Sequence, residues 1–296
     1  RLSEAAGIIP DASDAIANMG VVYFYRGEYD RAIECYERHL RICESLGDRN
    51  GIASAIGNIG VVYDMRGEYD RAIACYERQL SVCEVLGNRT EAATAIGNMG
   101  IAYMSIGDYE RALQMLFRAA DEHGAVGHSE AEAAWLNRIA DVLLEIIADA
   151  SSGDAAGHAE IDQRSMPEFL STWIPNDDLN RWETRALEKA QACTIQSIAI
   201  SEKVSNPDAV LDGRIVLARI DAARGNVDQA VERLREMRTE MPDEVYAVEV
   251  DYWLWRIDGA ADPSAMLRVY EQLYAEVPNH EYRKRIDELK RAIGGS

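Results

Sequence analysis

The chain has 296 residues, 48% of them hydrophobic, and carries a formal net charge of −20. That length can bury a large core in one or two domains, no run of about 18 apolar residues is present to form a membrane-spanning helix, and no basic start, apolar stretch and cleavage site mark a secretory leader. So acidic a surface repels nucleic-acid phosphates and anionic lipid heads and favours basic partners, which excludes nucleic acid and membrane surfaces as expected ligands.

In chain order, a repeat comes first. The segments starting at Ala15, Ala55 and Ala95 align with a period of 40 residues. Gly20, Gly60 and Gly100 stand in register, as do Tyr23, Tyr63 and Tyr103, then Gly27, Gly67 and Gly107, then Ala32, Ala72 and Ala112. Each unit predicts two helices. Ile16, Met19, Gly20 and Tyr23 follow three-and-four spacing, Gly27 stops that helix, and Tyr29, Ile33, Tyr36 and Leu40 start another, closed at Gly47. Gly20 and Ala32 are small where two helices approach, and Tyr23 and Tyr36 are large where the gap must be filled. The pairs Glu28–Arg31 and Glu34–Arg38 fit an ordinary solvated helix surface.

A fourth unit starts with Leu136, Ile139, Ala140 and Leu143, and its second helix is expected over Ala190 to Val204, where Cys193 falls in register with Cys35 and Cys75. Between them lies an insertion at 149–184. It opens with a Ser/Gly/Ala-rich stretch and continues with a proline-flanked apolar segment containing Phe169 and Trp173. That segment is either a lid folding back as a pseudo-ligand or padding for the seam of the fourth pair. A fifth unit is read from Leu217, Ala218, Gly225, Ala230, Leu234 and Pro242, and a degenerate sixth from Val250, Trp253, Leu254, Met266, Tyr270 and Pro278. Glu281 to Ile293 has one charged side and suits a capping helix, and the final Gly-Gly-Ser a flexible tail.

These motifs resemble the tetratricopeptide-repeat (TPR) family. Its first-helix pattern of a large residue, two spacers, Leu-Gly, two spacers and Tyr appears as Ile56-Gly-Asn-Ile59-Gly60-Val-Val-Tyr63. Its Ala-and-aromatic second-helix pattern appears as Ala32–Tyr36 and Ala72–Tyr76, relaxed to Ala112–Leu116 in the third unit. The long period is similar to that of kinesin light chain and bacterial peptide-sensing regulators. The resemblance implies an all-α, right-handed superhelical α-solenoid. The expected divisions are three regular units over 12–127, an interrupted fourth over 128–207, two shorter units over 208–280 and a cap over 281–293.

In such folds the first helices line a concave groove. The resemblance places Asn18, Asn58 and Asn98 there, one per repeat, where an amide that donates and accepts can pair with a ligand's backbone. The other reading is that each amide satisfies neighbouring protein groups. Arg138 replaces the Asn in the fourth unit and could pair with a ligand carboxylate. Further expected groove residues are Val21, Phe24, Val61, Asp64, Ile101 and Met104, beside Ala17, Gly57 and Gly97; the other reading is that the neighbouring repeat partly covers them.

Catalysis finds no motif: no Gly-rich phosphate loop, Gly-x-Ser-x-Gly elbow or kinase signature occurs. No cofactor or metal is expected. Cys35, His39 and Cys43 share a stripe, but residues eight apart on a helix stand about 12 Å apart along its axis, too far to share one ion unaided. Asp154, His158, Glu160 and Asp162 lack any recognised ligand spacing. Five cysteines in a long chain argue for reduced thiols in a helical core and a cytoplasmic setting. The expected function is binding of a protein or peptide segment in the groove. The alternatives are a regulatory domain of a larger signalling protein, with which a start at Arg1 is compatible, and self-assembly through the exposed edge of the first repeat.

Overall fold

The computed structural model describes residues 2–152, 182–241, 244–259, 261–276 and 278–294. Among them are thirteen α-helices and no strand. In chain order they are α1 (Leu2–Tyr25), α2 (Tyr29–Leu46), α3 (Arg49–Met65), α4 (Tyr69–Leu86), α5 (Arg89–Ser105), α6 (Tyr109–Ala125), α7 (Ser129–Ser152), α8 (Trp182–Lys203), α9 (Pro207–Ala223), α10 (Val227–Glu240), α11 (Glu244–Asp258) and α12 (Pro263–Glu276). The last helix is α13 (His280–Gly294). The fold is an all-α solenoid of helix pairs. The chain gathers into two compact units, one formed by residues 1–102 with 270–296 and the other by residues 103–269.

The turns follow from their residues. Gly47 ends α2 in the left-handed region at φ 69°, a conformation that costs a residue with a β-carbon, and Asp48 then caps α3 by accepting from the Gly51 N–H at 3.1 Å. Asp108 caps α6 in the same manner through the Arg111 N–H at 3.0 Å.

Within a pair, the family glycine faces the tyrosine of the second helix. A β-carbon on Gly60 would lie 2.7 Å from Tyr76 Cε1, and one on Gly20 would lie 2.6 Å from Tyr36 Cε1. The glycines therefore let the rings of Tyr36 and Tyr76 bury completely, which pushes the Tyr36 hydroxyl up to about 12 and raises that of Tyr76 as well.

The first-helix tyrosine has a second task. Arg31 lies 4.0 Å over the Tyr23 ring, donates to its hydroxyl at 2.7 Å and pairs with Glu28 at 2.5 Å. Arg71 repeats this with Tyr63 and Glu68 at 3.9, 2.6 and 2.5 Å, and Arg111 lies 4.5 Å over Tyr103 while bonding Asp108. One staple thus ties each of the first three turns to both its helices. Exposed ion pairs of this kind add little energy but fix geometry.

In the second unit, Ile215, Ala218, Val231, Leu234, Met237, Val250 and Leu254 form one buried cluster. The interrupted pair closes despite its insertion: Ser197 Oγ donates to the Ala133 carbonyl at 2.8 Å, and Cys193 is buried as its register predicts. Helices α7 and α8 extend to Ser152 and from Trp182, narrowing the expected 149–184 insertion at both ends. The segment with Phe169 and Trp173, and the group Asp154, His158, Glu160 and Asp162, lie outside the described residues.

Candidate peptide-binding groove

On α3 the buried residues are Ala53, Ala55, Ile56, Gly57, Ile59, Gly60, Val62 and Tyr63. Beyond its first turn, the positions that are not buried form a stripe at helical spacing, with Ser54 exposed and Asn58, Val61, Asp64 and Met65 half-buried. On α5 the same stripe is Thr94, Asn98, Ile101, Met104 and Ser105. On α1, Asn18 and Val21 are exposed and Phe24 is half-buried against Tyr25 and Tyr29. In α1, α3 and α5 the Asn and the expected apolar positions fall together on one helix face, exposed at Asn18 and Val21 and half-buried at Phe24, Asn58, Val61, Asn98, Ile101 and Met104, whereas Gly57 and Gly97 are buried. Among the described residues, no protein group hydrogen-bonds the side-chain amide of Asn18, Asn58 or Asn98.

Asp64 differs from its neighbours. It is partly buried, and its Oδ1 is shut off from solvent without a hydrogen-bond partner among the described residues. Burial first, and then the nearby Glu281, push its carboxyl up to about 6. Glu281 belongs to α13, whose leading edge sits within the first unit against the turns of the first two pairs. Tyr29 donates its hydroxyl to the Pro278 carbonyl, and the Tyr69 hydroxyl lies 3.1 Å from His280 Nδ1, with the two rings edge-on at 5.7 Å. Gly27 and Gly67 give room for this: a β-carbon on Gly27 would run into the Pro278 ring, and one on Gly67 would lie 3.5 Å from His280 Cδ2. The helix expected as a terminal cap thus also reaches the turns of the first two repeats. Sequence reasoning missed Tyr29, Tyr69 and the segment 278–281. The available signal was the tyrosine that opens each second helix at Tyr29, Tyr69 and Tyr109.

In the second unit, Arg138 is already engaged. It pairs with Asp141 at 3.3 Å, and Asp141 also holds the largely buried Arg219, which stacks 4.1 Å over Trp253. Half the Arg138 side chain remains exposed (51%), so a ligand carboxylate would compete with Asp141 for it.

The cysteines sit in packing positions. Cys43, Cys83 and Cys193 are buried, Cys35 and Cys75 partly so, and burial raises all five thiols. His39 is buried and accepts or donates at 2.9 Å with Ser13 Oγ, with Cys43 Sγ 3.6 Å away. Among the described residues no group of three His, Cys, Asp or Glu could hold a metal ion, and no helix is long and apolar enough to cross a membrane.

Comparison with known proteins bears on this architecture. Residues 12–84 and 51–121 match the family model described as tetratricopeptide repeat. Residues 12–121 are tetratricopeptide repeats. No curated protein matches this chain. Among solved structures, a Rap protein complexed with competence and sporulation factor superposes with a TM-score of 0.60 at 13% identity, over 95% of this chain and 75% of that one. The apo form of RapI gives 0.57 at 13% identity with the same coverage. A tetratricopeptide repeat protein from Parabacteroides merdae gives 0.51 at 16% identity, over 96% of this chain and 88% of that one. At such identities the likeness is one of fold.

Proposed function

We propose that this TPR chain is a non-catalytic binding module that takes an extended peptide or protein segment along the asparagine-bearing face of its first helices. The observation that carries the reading is the set of side-chain amides at Asn18, Asn58 and Asn98, in register and without protein partners among the described residues. An amide with both a free donor and a free acceptor can pair with a ligand backbone whatever its side chains. Val21, Val61, Ile101, Phe24 and Met104 supply an apolar floor, and Asp64 and the charge of −20 favour a basic ligand. The similar fold of a Rap protein captured with a competence and sporulation factor supports peptide recognition by such a solenoid. A role as the sensor domain of a larger signalling protein uses the same groove. The buried and partly buried thiols suit a cytoplasmic protein. The test is ligand capture by the wild type and by an Asn18/Asn58/Asn98→Ala variant of unchanged helix content and melting temperature. Binding should weaken by at least about tenfold, the loss of roughly 1.4 kcal/mol; a change within about twofold refutes the reading.

One observation favours a second use. Met19, Val22 and Tyr25 are 50%, 53% and 65% exposed, whereas Ile59 and Val62, the counterparts of Met19 and Val22 in the next repeat, are 7% and 0% exposed. The first pair thus presents the edge that a preceding pair covers in the interior. Self-assembly would use it. Sedimentation of the wild type and of Met19→Glu/Val22→Glu at two concentrations decides: a concentration-dependent mass lost in the variant supports this reading, and monomers throughout end it.

A further inference from the structure

The segment that opens α13 is bound to the first unit as a ligand would be. Pro278 and Asn279 precede the helix, so the carbonyl that meets Tyr29 lies in non-helical backbone, while His280, which meets Tyr69, opens the helix. It offers a carbonyl to Tyr29 and an imidazole to Tyr69, two hydroxyls at the same register of successive repeats and two residues apart along the bound segment. Two positions apart is also the spacing at which an extended chain presents groups to one side. Asn279 then starts the helix by accepting from the Tyr282 N–H at 2.8 Å.

The match fails at the next residue. Glu281 brings a like charge near Asp64, a carboxylate with an oxygen cut off from water and no donor to satisfy it among the described residues. Glu281 suits the first turn of α13, where an acid meets the positive end of the helix. Near Asp64 the same charge is repulsive, and a buried unpartnered acceptor is costly. The surface therefore carries two hydroxyl hooks that the chain's own segment fills and one acid that it leaves unmet.

We propose that the surface of Tyr29, Tyr69 and Asp64 is the docking point for a basic residue of an extended partner peptide, with residues 278–281 as a resident, imperfect competitor that the partner displaces. The partner offers an acceptor to each tyrosine and a Lys or Arg to Asp64, the one group the resident segment cannot supply. The proposal rests on the groove-binding reading above and narrows its ligand class. The acid on the surface selects the partner, while the tethered segment sets the threshold that a weak or acidic peptide fails to pass.

The test uses two fluorescent peptides copying residues 276–284, one unaltered and one with Lys in place of the Glu that corresponds to Glu281, titrated with the full chain at neutral pH and low salt. The Lys peptide should bind at least about tenfold tighter than the unaltered copy, the ratio expected of a single charge-assisted contact worth roughly 1.4 kcal/mol. That preference should fall below about twofold in Asp64→Asn, and both peptides should weaken in Tyr29→Phe/Tyr69→Phe. Glu281→Gln, which removes the repulsion and improves the resident fit, should weaken binding of the Lys peptide. Equal binding of the two peptides to the wild type, or a Lys preference that survives in Asp64→Asn, overturns the proposal. So does failure of both peptides to bind a chain loosened by Pro278→Ala/His280→Ala. The Asn18/Asn58/Asn98→Ala variant separates this from the broader reading: if it loses a captured partner while Asp64→Asn keeps it at full affinity, groove binding stands and the basic docking point falls.

Discussion

Asp64 occupies a position where burial and charge conflict, and the conflict is measurable. Its carboxyl titrates near 6 in the folded chain against an ordinary value of 3.8. Below about pH 4 it is protonated in both folded and unfolded states and costs nothing. As pH rises the unfolded chain releases this proton first, the folded chain holds it, and stability falls until the folded carboxyl is ionised above about pH 6. Chemical denaturation of the wild type and Asp64→Asn across pH 4 to 8 should give curves that coincide at the acid end, with the variant gaining by up to about 2–3 kcal/mol at neutral pH. A constant gap at all pH values would contradict this. Gly60 makes a simpler case. A β-carbon there would lie 2.7 Å from Tyr76 and 3.2 Å from Cys75 Cβ, so Gly60→Ala should cost roughly 1–3 kcal/mol in urea unfolding, as overpacking does, although alanine favours helix. At this scale the sequence announced a small residue at Gly60 and a large one at Tyr76, because both follow from helical register. It could not announce that Glu281 comes to Asp64. That meeting spans more than 200 residues and leaves no local pattern.

Helix boundaries in the first three pairs were legible because each carries its own stop: Gly27, Gly47, Gly67 and Gly87 all adopt positive φ. The fourth pair was harder. Its helices are separated by 29 residues outside the described regions, and only the register of Cys193 with Cys35 and Cys75 linked them. α13 was expected as a polar end to the solenoid, and it does bury Ile286 and Leu289 while exposing its charged side. Its leading edge, however, is held by side chains of the first two repeats, which a reading by neighbouring segments has no means to find. Removing those hooks should loosen α13 specifically. In Tyr29→Phe/Tyr69→Phe, amide exchange across residues 280–294 should speed up by about tenfold or more, with α3 and α4 unchanged. Equal protection of α13 in both proteins would mean that the two hydroxyls do not anchor it.

For the molecule as a whole, period and composition carried most of the argument. A 40-residue repeat with small and large residues alternating across the pair leads to an expectation of stacked helix pairs. The same logic leaves the edge of the first pair open at Met19, Val22 and Tyr25. The identity of the groove's partner follows from no such rule, because solenoids of one fold vary their ligands through a few face residues. The central claim is that the three asparagines touch that partner. It is tested most directly by recording the side-chain amide NMR signals of Asn18, Asn58 and Asn98, assigned by single substitution, before and after adding the segment captured from lysate. The account predicts that at least two of the three pairs of signals move in step with binding. Saturating binding that leaves all three unmoved would contradict it and place the interface elsewhere on the chain.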